Sequence, residues 1–314
     1  MKTKNPFPFS NDNKRYYTWN YYLKQHYGEK VFKVPLDAGF TCPNRDGTKG
    51  VGGCLFCGSA GSGECIQPSD SLIEQFETGC QMMKQKWPNG KAIAYFQAFT
   101  NTYGTIEQLH QCFDPFLIRD DVIAIAIATR ADCISDETLA YLNEMSKQKD
   151  IWVEIGLQSI HNQTAEAMNR GHSYEEFEAC IHRLSKINVK VCVHLINGLP
   201  NESFEMMIES AKKVGTLPIH ALKIHMLHLM KHTKLYEQYQ KHPFPLLSKE
   251  EYVDLVVKQL EVLPQHIILQ RLTGDGVSDL LVAPLWTIKK VSVLNDIDKR
   301  MVALNTYQGK YVKE

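Results

Sequence analysis

The sequence contains no run of about 18 apolar residues, the length a helix needs to cross a bilayer. Its amino-terminal stretch, MKTKNPFPFSNDNKRYY, lacks the hydrophobic segment that begins a secretory leader. These absences predict a soluble, cytoplasmic protein with no membrane partner. Net charge is missing too, since 35 Lys and Arg face 35 Asp and Glu, which excludes a polybasic nucleic-acid binder and a disordered polyelectrolyte. There is no low-complexity tract and no short repeat, so the 314 residues are free to bury a large core. What the chain does have is nine cysteines. An odd number without a leader argues for reduced thiols and a metal or redox role.

The balanced charge is unevenly placed. Residues 1–30 carry six Lys and Arg against two acids, and residues 289–314 carry six against three, leaving the middle acidic. Basic ends on an acidic body could grip a polyanion or be solvated tails. The segment KRYYTWNYYLKQHYG adds Tyr16, Tyr17, Trp19, Tyr21, Tyr22 and Tyr27 to Lys14, Arg15, Lys24 and His26. Cations hold phosphates and rings stack on unpaired bases, as in grips on single-stranded RNA. The alternative is an amphipathic helix whose rings pack on the body of the protein.

Apolar runs alternate with amphipathic stretches. VFKVPLDA, AIAYFQAF, VIAIAIAT, IWVEIGLQS, VKVCVHLI and ALKIHMLHL read as strands beginning near residues 31, 92, 122, 151, 189 and 221, several continuous enough to be covered on both faces. Helix starts are marked by Ser71/Glu74, Thr105/Gln108, Ser173/Glu176 and Ser248/Glu251, each at capping-box spacing. About 30 residues per strand–helix unit predicts right-handed crossovers and a partial (β/α)6 barrel. No Gly-x-Gly-x-x-Gly follows the first strand, which lowers an open doubly wound sheet. HIILQRLTGDG is a candidate seventh strand, KHTKLYEQYQKHPFPLLS reads as a loop-rich connection, and the residues from APLWTIKK onward read as a tail packed across the barrel. The expected organisation is an extension over 1–30, a barrel over 31–275 and a second extension over 276–314.

GFTCPNRDGTKGVGGCLFCGSAGSGEC, residues 39–65, follows the first strand. Cys42, Cys54 and Cys57 form a C-x11-C-x2-C array, and thiolates ligate both zinc and iron–sulfur clusters. Spacing leaves three readings open: a structural zinc with Cys65 as fourth ligand, a four-cysteine electron-transfer cluster, or a three-cysteine cluster with one open iron. A barrel builds its chemistry at the strand C-termini, where this loop would sit.

A partial barrel, three cysteines after its first strand and an aromatic residue, Phe56, before the third cysteine together resemble the radical S-adenosylmethionine (SAM) superfamily. The eleven-residue first gap is similar to the branch that contains the Elongator catalytic subunit. GLQSIHNQTAEAMNRGHS (156–173) and HLINGLP (194–200) resemble that branch's stretches at strands four and five. The resemblance implies a 4Fe–4S cluster on Cys42, Cys54 and Cys57, and SAM held by Gln158 and Arg170, with Phe56 alongside. The Gly-Gly-Glu that binds the SAM amino group in many members is absent. FQAFTNTYG stands there instead, which assigns the role to Thr100, Asn101 or backbone carbonyls. His194 stands at the end of strand five, where related sequences often carry an acid, in position to meet the SAM ribose or adenine. Arg130, His225, Arg271 and Asp275 are candidate catalytic residues. His225 and His228, three apart, would point to opposite faces of a strand. Cys80, Cys112, Cys180 and Cys192 read as buried packing residues, with Cys133 beside Arg130 less settled.

The nearest resemblance is to a small bacterial family close to the Elongator subunit; the chain is too short to include that subunit's acetyltransferase domain. It implies action on the tRNA anticodon loop, converting wobble 5-carboxymethylaminomethyluridine to 5-aminomethyluridine, and an external one-electron donor. Two other readings compete: a radical SAM enzyme on a small molecule, similar to oxygen-independent coproporphyrinogen oxidase, and a zinc-stabilised RNA-binding protein without catalysis.

Overall fold

The structure is a computed structural model that describes residues 5–61, 66, 71–274 and 279–312. Its chain order is α1 (Trp19–Tyr27), β1 (Val31–Leu36), α2 (Leu72–Lys86), β2 (Lys91–Phe96), α3 (Ile106–Leu117), β3 (Val122–Thr129), α4 (Asp136–Met145), β4 (Asp150–Gln158), α5 (Asn162–Ala167), α6 (Tyr174–Leu184), β5 (Lys190–Asn197), α7 (Phe204–Val214), β6 (Ala221–Met226), β7 (Leu229–Met230), α8 (Lys234–Lys241), α9 (Lys249–Val262), β8 (Ile268–Arg271), β9 (Leu281–Ala283) and α10 (Lys290–Ala303). Seven strands form one parallel sheet in the order β1-β2-β3-β4-β5-β6-β8. Sequential order with helical crossovers is the topology of a curled half-barrel, as the strand–helix repeat predicts, and the candidate seventh strand is β8.

Side chains alternate across this sheet. Phe32, Val34, Leu36, Ile125, Ile127, Val153, Ile155, Val191 and Val193 join the helices in the larger core, which surrounds the barrel. Ile93, Tyr95, Ala124, Ala126, Trp152, Cys192 and Ala221 point inside. The helix starts behave as their sequences predict. Thr105, Ser173 and Ser248 close reciprocal boxes with Gln108, Glu176 and Glu251, and Ser71 accepts from the Glu74 amide.

The described terminal segments, with α1 near one end and the stretch after α10 at the other, sit at the lower rim, where strands begin. Trp19 and Tyr22 of α1 meet Trp152 edge-on at centroid distances of 4.9 and 5.7 Å, and the Tyr27 hydroxyl donates to Asp150 at 2.7 Å. The aromatic N-terminus therefore closes the barrel floor, which gives its rings the packing role. Leu269 donates its amide to Tyr17 O, covering the β8 edge, which an open sheet otherwise leaves exposed to pairing. Arg15 donates to Asn305 and Thr306, and Lys14 pairs with Asp298, knitting the two basic ends together.

Two segments depart from expectation. The stretch read as a loop-rich connection contains α8, and the tail contains α10, whose Val293, Ile297 and Met301 are fully buried against the core.

Candidate active site

The cysteine loop crosses the upper rim. Its backbone is folded by its own amides: Arg45 N to Cys42 O at 2.8 Å, Gly53 N to Asn44 O at 2.7 Å and Cys57 N to Cys54 O at 3.0 Å. It is docked on the loop after α5 by Leu55 N to Met168 O at 3.0 Å and Asn169 Nδ2 to Gly53 O at 2.9 Å. It is docked on the loop after β2 by Thr100 N to Thr41 O and Phe99 N to Gly61 O. The three loops that carry the sequence motifs are thus one hydrogen-bonded unit. Cys65 and Asp275 lie outside the described residues.

The surroundings of Cys54 suit a thiolate. Arg170 Nη1 and Asn44 Nδ2 each lie 3.6 Å from its sulfur. The hydrogen bond from Cys57, followed by the Arg170 charge, holds the Cys54 thiol well below the ordinary range, while the same bond and burial raise Cys57. Among the described residues no three His, Cys, Asp or Glu side chains close on a point as around a single ion.

Arg170 also donates Nη2 to the Gly156 carbonyl on β4. Gln158, at the end of β4 with φ 71°, turns its amide over the same glycine. A Cβ at Gly156 would stand 2.9 Å from Gln158 Nε2 and 3.2 Å from Arg170 Nη2. The two residues twelve apart in sequence therefore meet above one strand, and a side chain at Gly156 would push their polar ends out of place. Gln158 Oε1 and Arg170 Nε are buried without partners, orphaned groups of the kind a bound polar molecule satisfies.

Arg130 makes a two-pronged contact with Asp132, 2.9 Å at each nitrogen, and gives Nη1 to Arg170 O at 2.8 Å. Lys49 completes the pair at 2.9 Å from Asp132. Burial opposes the charge on both partners, but the bidentate contact overrides it and leaves Arg130 raised and Asp132 lowered. The structure makes Arg130 a brace for the Arg170 loop. Thr100 is buried; Asn101 gives its amide nitrogen to Phe96, Ala98 and Ala128 carbonyls, which leaves Oδ1 as a buried acceptor without a partner. Phe56 packs on the apolar cluster of Leu55, Met168, Leu199 and Leu227.

His194 and His225 face inward, ring centroids 5.7 Å apart, whereas His228 lies beyond the end of β6. Burial lowers His194 to about 4 and His225 well below the usual histidine range, so both are neutral at pH 7. Arg271 ends β8 and lies within electrostatic range of His225 and Lys223. Sequence reasoning missed Lys33 and Lys223. They flank Glu154, which is fully buried at mid-barrel. Asn44, which holds both Cys54 and Asn169, was missed as well. The signal for the lysines was present: each interrupts an apolar strand at an inward position. Cys80, Cys180 and Cys192 are buried with raised thiols, as packing residues are expected to be, and Cys112 is half-buried.

Residues 42–214 match the family model described as the radical SAM superfamily, and residues 219–303 match the radical SAM C-terminal domain. The chain belongs to the radical SAM superfamily and is an enzyme of that class; the zinc-clip reading without catalysis is overturned. It is 47% identical over 312 residues to the uncharacterized protein YtqA of Bacillus subtilis, covering 99% of this chain and 97% of that one. It is 29% identical over 163 residues to tRNA uridine(34) acetyltransferase of Methanocaldococcus infernus, which spans 51% of this chain but only 30% of that protein. The solved structure of M. infernus Elp3 with an N-terminal deletion has the same fold, with a TM-score of 0.66 at 20% identity over 89% of this chain and 64% of that chain, less than two thirds of its length. Membership implies a 4Fe–4S cluster and SAM. Among the described residues, no helix is long and apolar enough to cross a membrane.

Proposed function

We propose that this radical SAM enzyme modifies tRNA in the anticodon loop, converting wobble 5-carboxymethylaminomethyl(-2-thio)uridine into 5-aminomethyl(-2-thio)uridine: a hydrogen atom leaves the carboxymethyl carbon beside nitrogen, the resulting radical gives one electron back to the oxidised donor, and water cleaves the iminium so formed to the free amine and glyoxylate. The observation that carries the reading is the likeness over 163 residues to a protein whose name assigns it to tRNA uridine 34. The shared fold with Elp3 and the three-cysteine rim support it. Cys42, Cys54 and Cys57 hold the cluster, with Arg170 and Asn44 beside the Cys54 sulfur. Gln158 and Arg170 would supply polar contacts to SAM, and Asn101, whose Oδ1 is a buried acceptor without a partner, would be available to its ammonium group. With an external one-electron donor, the bound pair supplies a 5′-deoxyadenosyl radical able to take an unactivated hydrogen atom. The protein's share is placement. Arg130 and Asp132 fix the Arg170 loop, and the closed floor at Trp152 keeps bulk water from entering below. The target base leaves its stack and enters the barrel from the upper rim.

The test is anaerobic reconstitution, with iron and sulfide counted, 5′-deoxyadenosine assayed and the wobble nucleosides of added tRNA separated by mass. Wild type should form 5′-deoxyadenosine and 5-aminomethyluridine together, and Cys54→Ala should lose iron and both products. SAM cleavage with an unchanged wobble nucleoside would sink the tRNA reading and leave the family assignment intact.

A further inference from the structure

Six strands each send one polar side chain into one connected network inside the barrel: Lys33 from β1, Tyr95 from β2, Glu154 from β4, His194 from β5, Lys223 from β6 and Gln270 from β8. Lys33 Nζ donates to Glu154 Oε1 and Lys223 Nζ to Oε2, where His194 Nε2 also lies at 3.1 Å. Lys33 further donates to Gln270 Oε1 at 2.8 Å, and Lys223 to the Tyr95 hydroxyl at 3.2 Å. The Tyr95 ring lies 4.6 and 4.7 Å from the two ammonium groups.

This inventory does not balance. Two ammonium groups share one carboxylate, the histidine is neutral, and Gln270 Nε2 is a buried donor with no partner. Among the described residues donors outnumber acceptors in this network, and one positive charge is left over in a desolvated place, where an unmatched charge is strongly disfavoured. An arrangement that served stability alone would be one lysine on one glutamate. The excess suits an anion that arrives with a ligand.

Placement agrees. Glu154 lies two residues before Gly156 on the same face of β4, hence about 6.6 Å below the carbonyl that holds Arg170. Ala128 of β3 stands opposite Glu154 and Gly156 lies two positions further along β4, so the wall beside and above the carboxylate is made of small residues. The side chains of Lys33 and His194 keep 19% and 17% exposure, so the cluster is not wholly sealed from solvent. A backbone phosphate could reach this depth only by drawing the ribose chain into the barrel. A carboxylate on a short arm projecting from a base reaches it directly.

Resting on the wobble-uridine reading above, we propose that Lys33, Lys223 and Gln270 form a carboxylate subsite that seats the carboxymethyl end of the substrate nucleoside. Glu154 holds the two ammonium groups apart in position, and the uncompensated charge is matched when the substrate carboxylate arrives. The subsite makes the enzyme specific for the acid over neutral analogues of the same length.

The experiment compares tRNA carrying the native carboxymethylaminomethyl group with the same tRNA whose carboxylate has been converted to its methylamide, using the reconstituted holoenzyme. Charge-assisted hydrogen bonds of this kind predict a preference of about 10–100-fold in kcat/KM for the acid. Lys33→Met and Lys223→Met should each reduce that ratio to roughly threefold or less, through the acid substrate. Lys33→Arg should retain most of it. Equal rates on acid and amide in wild type would overturn the subsite while leaving the wobble reaction standing, and that comparison needs no variant to fold. An unchanged ratio in folded Met variants would overturn it too. Conversion of neither tRNA by an enzyme that still cleaves SAM would overturn the wobble reading, and the subsite with it.

Discussion

The unbalanced charge at mid-barrel makes a stability prediction that does not depend on any substrate. Burial lowers Lys223 to about 8; Glu154 pulls it back up and Lys33 pushes it further down. Against an ordinary lysine near 10.5, that displacement means the folded protein disfavours the Lys223 ammonium by about 3 kcal/mol at neutral pH. Lys223→Met removes this charge and keeps an unbranched apolar stem of similar length. The remaining Lys33–Glu154 pair is then neutral as a unit, and the thioether does not replace the hydrogen bonds that the ammonium gives to Glu154 and to the Tyr95 hydroxyl. The variant should unfold at a temperature equal to wild type or higher, by roughly 2–6 °C. Glu154→Gln should do the reverse. It leaves two buried ammonium groups without a counter-ion, at a cost of about 3–5 kcal/mol, a fall of roughly 6–10 °C. Calorimetry of the anaerobic holoprotein measures both. The pH dependence has a definite sign. Below pH 8 both folded and unfolded chains hold the Lys223 proton, and the gap between variant and wild type is constant. Between 8 and about 10.4 only the unfolded chain holds it, so wild-type stability rises relative to Lys223→Met and the gap closes. A Lys223→Met protein that melts as low as Glu154→Gln would show a balanced structural network and overturn this account of the cluster.

Other consequences follow from the rim and the floor. Gly156→Ala places a methyl group at 2.9 Å from Gln158 Nε2 and 3.2 Å from Arg170 Nη2; SAM cleavage should fall by about tenfold or more with little change in melting temperature, because displaced positioning groups cost rate before they cost stability. Trp152→Ala removes a fully buried ring that Trp19 and Tyr22 pack against, and denaturant unfolding should show a loss of about 3–5 kcal/mol. Cys65→Ala should keep its iron, in contrast to Cys54→Ala, when iron is counted after reconstitution.

The frame was legible because local signals and tertiary packing agree. VIAIAIAT forms β3, buried along nearly its whole length, and the Ser and Thr caps start the helices they announce. α8 escaped because it is short and mostly polar, with Leu235 its one fully buried residue and Tyr239 one turn on only partly buried. α10 escaped because no side chain caps its start, although Val293, Ile297 and Met301 recur every four residues. At the site, Gln158 and Arg170 were legible through resemblance, whereas their meeting over Gly156 required the positive φ at Gln158.

The lysine–glutamate cluster shows why the deepest part of a barrel is the hardest to read from a sequence. Lys33 in VFKVPL, Glu154 in IWVEIGL, His194 in VCVHLI and Lys223 in ALKIHM each look like one polar lapse in an otherwise apolar strand. Taken singly, each reads as a core residue with a local partner. Side-chain reach across the curled sheet, rather than register, brings the four together: Glu154 stands opposite Cys192, two positions below His194, and still meets His194, Lys33 and Lys223. Covered strands tolerate an inward polar residue only when a neighbour on another strand satisfies it. The recurrence of one such residue in strand after strand is therefore itself evidence of a shared interior site. Its charges, two positive and one negative, then say which sign of ligand that site is short of.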